Sequence, residues 1–196
     1  MTTPLLLIRH AATAWNAEKR TQGRSDVPLS AEGRAEAAAW SLPAEFAGYR
    51  WFTSPLIRAR DTAALLGHPE ATVDQILIEM DWGRWEGQRL PDLRDRLGDE
   101  MAALEDRGLD FRPPDGESPR EVQGRLRPWL RARAASAEPA AAVAHKGVIR
   151  ALYALAVGWD MRGKPPVKLL NGTCHHFALD SDGTLTLEAA NITLRP

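Results

Sequence analysis

The chain has a single cysteine, Cys174, so no disulfide can close within it and a reducing compartment fits. It lacks any apolar run near the ~20 residues that a membrane span needs. The first such run, Leu5 to Ile8, is cut off by Arg9 and is too short for a secretory signal. It also lacks an excess of charge. A formal net charge of -1 gives no global reason to expect nucleic acid or an anionic membrane surface as partner. There is no internal repeat and no low-complexity segment. These absences lead to the expectation of a soluble, cytoplasmic protein. Its 196 residues suit a single domain over 1–196 that buries a core without crosslinks.

What is present begins with Leu5-Leu6-Leu7-Ile8-Arg9-His10. The run is long enough for one buried strand and too short for a typical helix. It delivers a guanidinium and an imidazole to its C-terminal end, where open α/β sheets bind ligands. Residues 11–29 read as a loop with at most one helical turn. Ser30 caps a helix to about Trp40, and Tyr49 to Thr53 form a second strand. Ser54-Pro55 reads as a capping hydroxyl with proline at the first helical position, opening a helix that Gly67 stops. Residues 72–78 predict a third strand. Residues 80–137 differ in texture: a tryptophan- and glycine-rich start, a charged helix over roughly 89–107, a Pro/Gly loop, and a capping box at Ser118-Pro119-Arg120-Glu121. Val122, Leu126 and Leu130 then mark one helix face. Ala140 to Ala144 form a further strand, Val148 to Val157 an apolar helix against the sheet, and residues 173–179 and 184–190 two final strands about a tight turn. The fold class is α/β: a mostly parallel central sheet flanked by helices, with a helical lobe inserted at about 80–137.

If the strands are parallel, their ends bring Arg9-His10, Ser54 with Arg58, Glu79 and His145 to one edge. Those residue types suit phosphoryl transfer. Two guanidiniums hold phosphate oxygens bidentately and stay charged. One imidazole attacks phosphorus through a neutral nitrogen if an acceptor fixes the other N–H. A second, protonated, adds charge where the equatorial oxygens develop it. A carboxylic acid protonates the leaving alkoxide.

Ordered blocks then carry a family resemblance. Arg9-His10-Ala11-Ala12-Thr13-Ala14-Trp15-Asn16 resembles the signature of the histidine phosphatase superfamily, phosphoglycerate mutase-like branch. The resemblance continues through Gln22-Gly23, Asp26, Pro28-Leu29-Ser30 and Gly33. Further blocks are Thr53 to Ala63, Glu79 to Gly87, Gly116-Glu117-Ser118, and His145-Lys146-Gly147-Val148-Ile149-Arg150. It implies His10 as the nucleophile that becomes phosphohistidine, with Arg9, Arg58 and His145 binding the phosphoryl group and Glu79 donating the proton. It implies Asn16 and Gln22 as pocket residues, Gly23 as room for substrate, and the Gly147 amide as a phosphate contact at a helix start. It implies no metal and no other cofactor, and a small phosphorylated metabolite as partner. Ala11 departs from the family's usual glycine.

The expected activity is a phosphatase on small phosphate monoesters. The insertion after Glu79 is modest and the chain stops at Pro196 soon after the last strand, which reads as an open site that admits water. Phosphoglycerate mutase-type transfer and a non-catalytic phosphate-binding module of the same fold remain alternatives. Oligomeric state is unassigned, as no unpaired amphipathic stripe stands out. Arg60, Arg84 and Arg150 read as helix-face or loop cations, Glu86 as structural, and Lys146 as pointing to solvent. Trp82 and Trp85 either shape the pocket or pack the lobe. His175-His176 form no metal site, because neighbouring strand residues face opposite ways.

Overall fold

The computed structural model describes residues 2–194. Its centre is β1 (Thr3–Arg9), whose Leu5, Leu6, Leu7 and Ile8 are fully buried. Burying each such side chain is worth roughly 2 kcal/mol, which makes this run the strongest local reason for the strand. Both faces are covered. Leu5 and Leu7 join one apolar cluster, Leu6 and Ile8 another. The continuous apolar pattern thus belongs to a strand buried on two sides.

The remaining strands are β2 (Arg50–Thr53), β3 (Thr72–Val73), β4 (Ala140–Ala144), β5 (Thr173–Leu179) and β6 (Leu185–Thr193). They form one sheet in the order β3-β2-β4-β1-β5-β6. The first four in that order are parallel, and β5 and β6 add an antiparallel edge. The sheet is therefore mostly parallel with flanking helices, as the alternation of elements predicts.

The helices are α1 (Ala14–Ala17), α2 (Ala31–Ala39), α3 (Ile57–Leu65), α4 (Leu90–Leu97), α5 (Asp99–Glu105), α6 (Pro119–Ser136) and α7 (Lys146–Val157). Ser30 and Ser118 cap α2 and α6 through their hydroxyls, and the Ser118–Glu121 capping box is complete. β4 is almost all alanine, α3 lies close to it, and its other face joins the cluster that α6 and α7 build. Ala140, Ala142 and Ala144 share their cluster with Val122, Leu126, Leu130, Val148 and Leu152.

Several elements differ from expectation. The third strand is two residues long, because the Asp74 side chain accepts from the Ile76 amide at 3.1 Å and turns the chain into a 3-10 turn over Gln75–Leu77. Ser54 does not cap α3. The helix starts at Ile57, whose amide donates to Asp26 Oδ1 at 2.7 Å, so a distant loop supplies the cap. The charged helix over 89–107 is two helices, broken at Gly98 with φ 51°. The last helix begins at Lys146, two residues earlier than the apolar run suggests. The inserted stretch also divides. Trp85, Leu93 and Met101 form a small core of their own, whereas α6 packs into the main one.

Candidate active site

The register of β1 against β4 builds the site. Arg9 pairs with Ala144, so the next residues, His10 and His145, leave the sheet side by side. The His10 amide donates to Ala144 O at 3.0 Å and the Ser54 amide to Val143 O at 3.1 Å, which extends the ladder to the point where the side chains diverge. The two imidazoles stand 5.2 Å apart between centroids, tilted by 55°. A single register slip would send one of them to the far face of the sheet.

His10 is 6% exposed and lines a cavity of about 740 Å³. Its Nδ1 lies 2.7 Å from Ala11 O. A carbonyl oxygen only accepts, so Nδ1 carries the proton and Nε2 keeps its lone pair. Burial first, then the charges of Arg9 and Arg58, push the His10 pKa well below its ordinary value. The ring is neutral near pH 7.

Arg9 and Arg58 line the same cavity. Arg9 donates through Nη1 to Asn171 Oδ1. Arg58 is wholly buried, and its guanidinium is held by two loop carbonyls, Ser25 O and Gly23 O, each at 2.7 Å. The Nε atoms of both arginines, and Gln22 Oε1, are buried with no hydrogen-bond partner among the described residues. Unmet polar groups of this kind around one cavity suit a polar ligand.

Glu79 does not end a strand. It follows the 3-10 turn and reaches the start of α7. Its Oε1 accepts from the Met80 amide at 2.7 Å and the Val148 amide at 3.2 Å, and its Oε2 from the Gly147 amide at 3.0 Å. The carboxylate thus takes the place at the helix start that the sequence suggested for phosphate. Gly147 permits this approach: a Cβ there would lie 2.5 Å from Glu79 Oε1.

His145 is fully buried and does not line the cavity, although its ring backs onto His10. Its Nε2 is 2.6 Å from Ser54 Oγ, and its Nδ1 is without a partner among the described residues. Burial, His10, Arg58 and Arg9 push its pKa well below the ordinary value. The protonated second histidine expected from the sequence is therefore neutral in the free protein.

The secondary positions sort as follows. Asn16 and Gln22 line the cavity, but Asn16 Oδ1 is engaged in capping α1, accepting from Thr13 N at 3.0 Å and Thr13 Oγ1 at 3.1 Å. Gly23 (φ 52°) lines the cavity too, and the space a Cβ would fill there is taken by Glu86, whose Oε1 would sit 1.9 Å away. The Ala11 methyl points into an apolar cluster with Leu29 and Ala37, away from the cavity, so the departure from glycine crowds nothing there. Trp82 lines the cavity and packs on Phe111, while Trp85 belongs to the lobe core. Lys146 is exposed yet edges the cavity, and Arg150 edges it too.

Three groups support the site: Glu86, expected to be structural, and Thr62 and Arg125, to which the sequence assigns no role. Glu86 accepts from the Arg24 amide at 2.7 Å, the Ser25 amide at 2.9 Å and Ser25 Oγ at 2.6 Å, and so fixes the loop whose carbonyls grip Arg58. Arg125, paired with Glu117 at 2.8 Å, donates to the carbonyls of Ile76 and Ile78 and anchors the segment leading to Glu79. Thr62 accepts from the Ala11 amide at 3.0 Å and donates to Arg58 O at 2.7 Å. Thr62 and Glu86 fall inside the motif blocks, which was the available signal. Arg125 sits on a helix with no motif.

Comparison with known proteins fits this geometry. The profile of the histidine phosphatase superfamily (branch 1) matches residues 5–193. The chain is 32% identical to the 2,3-bisphosphoglycerate-dependent phosphoglycerate mutase of Methylobacterium sp. (strain 4-46), over 92% of this chain and 93% of that one. Its structure resembles the mycobacterial glucosyl-3-phosphoglycerate phosphatase in complex with VO3, with TM-score 0.79, 27% identity, and 97% and 100% of the two chains covered. YhfR of Bacillus stearothermophilus superposes with TM-score 0.81 at 27% identity, covering 95% and 96%.

Proposed function

The chain belongs to the histidine phosphatase superfamily (branch 1), and from that premise we propose that it hydrolyses small phosphate monoesters through a phosphohistidine on His10. The observation that carries the reading is the His10 ring itself. Ala11 O fixes Nδ1–H, so the unprotonated Nε2 is free as a nucleophile in a cavity shared with two arginines.

In the first half-reaction Nε2 attacks phosphorus. The P–N bond forms as the P–O bond to the alcohol breaks, and Glu79 passes the proton brought in by the monoanionic ester to the leaving alkoxide. Arg9 and Arg58 take up the charge on the equatorial oxygens. In the second, water attacks the phosphohistidine, Glu79 receives its proton, the P–N bond breaks and inorganic phosphate leaves. His145 backs onto the His10 ring from outside the cavity lining. A dianion bound in the cavity opposes the arginine charges that, after burial, keep its ring neutral, and the ring then takes a proton.

Hydrolysis rather than transfer is supported by the likeness to the mycobacterial phosphatase across nearly the whole chain. The mutase reading is favoured by the Methylobacterium relative. The test is turnover of p-nitrophenyl phosphate and of a phosphoglycerate, with and without chelator, together with acid quench of the enzyme. Release of inorganic phosphate, unaffected by chelator, with an acid-labile and alkali-stable phosphoenzyme absent in His10→Ala is the expected outcome. Exchange of phosphate between phosphoglycerates without net release would establish the mutase instead. No turnover by folded protein across pH 5–8 would end both readings.

A further inference from the structure

A second cavity, of about 300 Å³, adjoins the one that holds His10. It lies between α7 and the segment 165–171, with Tyr153 and Trp159 contributing aromatic surface and Val167 and Leu170 apolar edges. The segment is tied to α7 by the Val167 amide, which donates to the Tyr153 hydroxyl at 2.8 Å. Arg9, Lys146, Arg150 and Asn171 line both cavities and form the boundary they share.

Four cations face this small space: Arg9, Lys146, Arg150 and Lys168. No acid lines it. Among the described residues none of the four takes part in an ion pair. Arg150 rests instead over the Trp159 ring, 5.4 Å from its centroid. The cations repel one another. Partial desolvation, then Arg9 and Arg150, and less strongly Lys168, lower the Lys146 pKa, with Glu79 acting the other way. His175 adds no charge, because burial pushes its pKa down to about 4. Unpaired cations crowded around an aromatic-walled pocket are complementary to an amphiphilic anion.

The position supplies the connection to chemistry. Glu79 lines the catalytic cavity and is bonded to the Gly147 amide, next to Lys146, which lines both cavities with Arg150. We infer that the cavity is the subsite for the alcohol half of the substrate, and that this alcohol has an apolar or ring-bearing body ending in a second anionic group. The inference rests on the hydrolytic reading above. It narrows the substrate class to phosphate monoesters that carry a further carboxylate or phosphate across an apolar spacer.

The test compares two phenyl phosphates, one with a para-propyl and one with a para-carboxyethyl group. Their leaving groups are alike and they differ in the distal charge. The wild type is expected to favour the carboxylate in kcat/KM by ~10–100-fold, as for one or two charge-assisted contacts. Lys168→Glu lies outside the catalytic cavity. It should erase that preference, read as the ratio of the two kcat/KM values. In parallel, calorimetry should detect the para-carboxyethyl phenol alone binding to the wild type and not to Lys168→Glu. Equal kcat/KM for the two esters, or a preference that survives Lys168→Glu, overturns the subsite and leaves the phosphatase reading intact. If neither ester is turned over, the phosphatase reading fails, and calorimetry decides the cavity: phenol binding that Lys168→Glu abolishes upholds it, and no binding overturns it.

Discussion

Gly147→Ala separates two physical effects that pull in opposite directions. Alanine is the better helix former by up to ~1 kcal/mol, so local propensity alone predicts a more stable α7. The added methyl would lie 2.5 Å from Glu79 Oε1 and 3.0 Å from Met80 Cβ. The carboxylate is the movable partner, so it should swing away and give up its bonds to the Gly147 and Val148 amides at 3.0 and 3.2 Å. Hydrogen bonds to a charged group are worth roughly 1.5–3 kcal/mol each, and part of the loss is recovered by water. The net expectation is a loss of about 1–3 kcal/mol in stability by urea denaturation. Activity should suffer more selectively. Proton donation by a placed acid is worth ~10²–10⁴-fold, and it matters most when the leaving alcohol is a poor leaving group. An alkyl phosphate should therefore lose on the order of a hundredfold in kcat, and p-nitrophenyl phosphate far less. A variant of equal or higher stability with unchanged alkyl phosphate turnover would refute the placement of Glu79 at the helix start as functional geometry.

Three further outcomes follow from the same contacts. His10, His145 and His175 are buried with lowered pKa values, so the unfolded chain binds more protons than the folded one below about pH 6.5. Stability should be full above that pH and fall as pH drops, with His175 alone contributing a loss of roughly 2 kcal/mol by pH 5 before levelling near its folded value of about 4. Urea titrations at pH 7, 6 and 5 read this directly, and a flat result would contradict the neutral burial of these rings. Phosphate binding should draw a proton onto His145 near neutral pH, visible as a buffer-dependent calorimetric enthalpy that Ser54→Ala alters, and a buffer-independent enthalpy would count against it. Glu86→Gln should raise KM and the phosphate inhibition constant about tenfold or more, because the 23–25 loop that grips Arg58 loses charge-assisted bonds. Unchanged constants would place Glu86 outside the site's support.

Much of this protein was legible in its residues because the relevant interactions are local or periodic. The apolar run to Ile8, the Ser118–Glu121 capping box and the apolar face of α6 each state their own structure. The motif blocks also carried Arg9, His10, Arg58 and Glu79, which do share one cavity. What misled the reading were groups whose partners lie far away in sequence. Ser54 looks like a helix cap, but its hydroxyl meets His145, 91 residues on, and Asp26 supplies the cap instead. Gly147 looks like a free phosphate donor, but Glu79 has taken its amide.

The sequence by itself determined the fold class, the strand that delivers Arg9 and His10, and the chemical kind of the site, because burial periodicity and side-chain chemistry are written residue by residue. Only the tertiary structure decided which imidazole nitrogen of His10 is free, that His145 is neutral and enclosed, that the Ala11 methyl faces the core, and that Arg9 borders a second, cationic cavity. Those properties depend on strand register, on desolvation and on the mutual repulsion of charges brought together from distant positions. None of these quantities exists until the chain is packed.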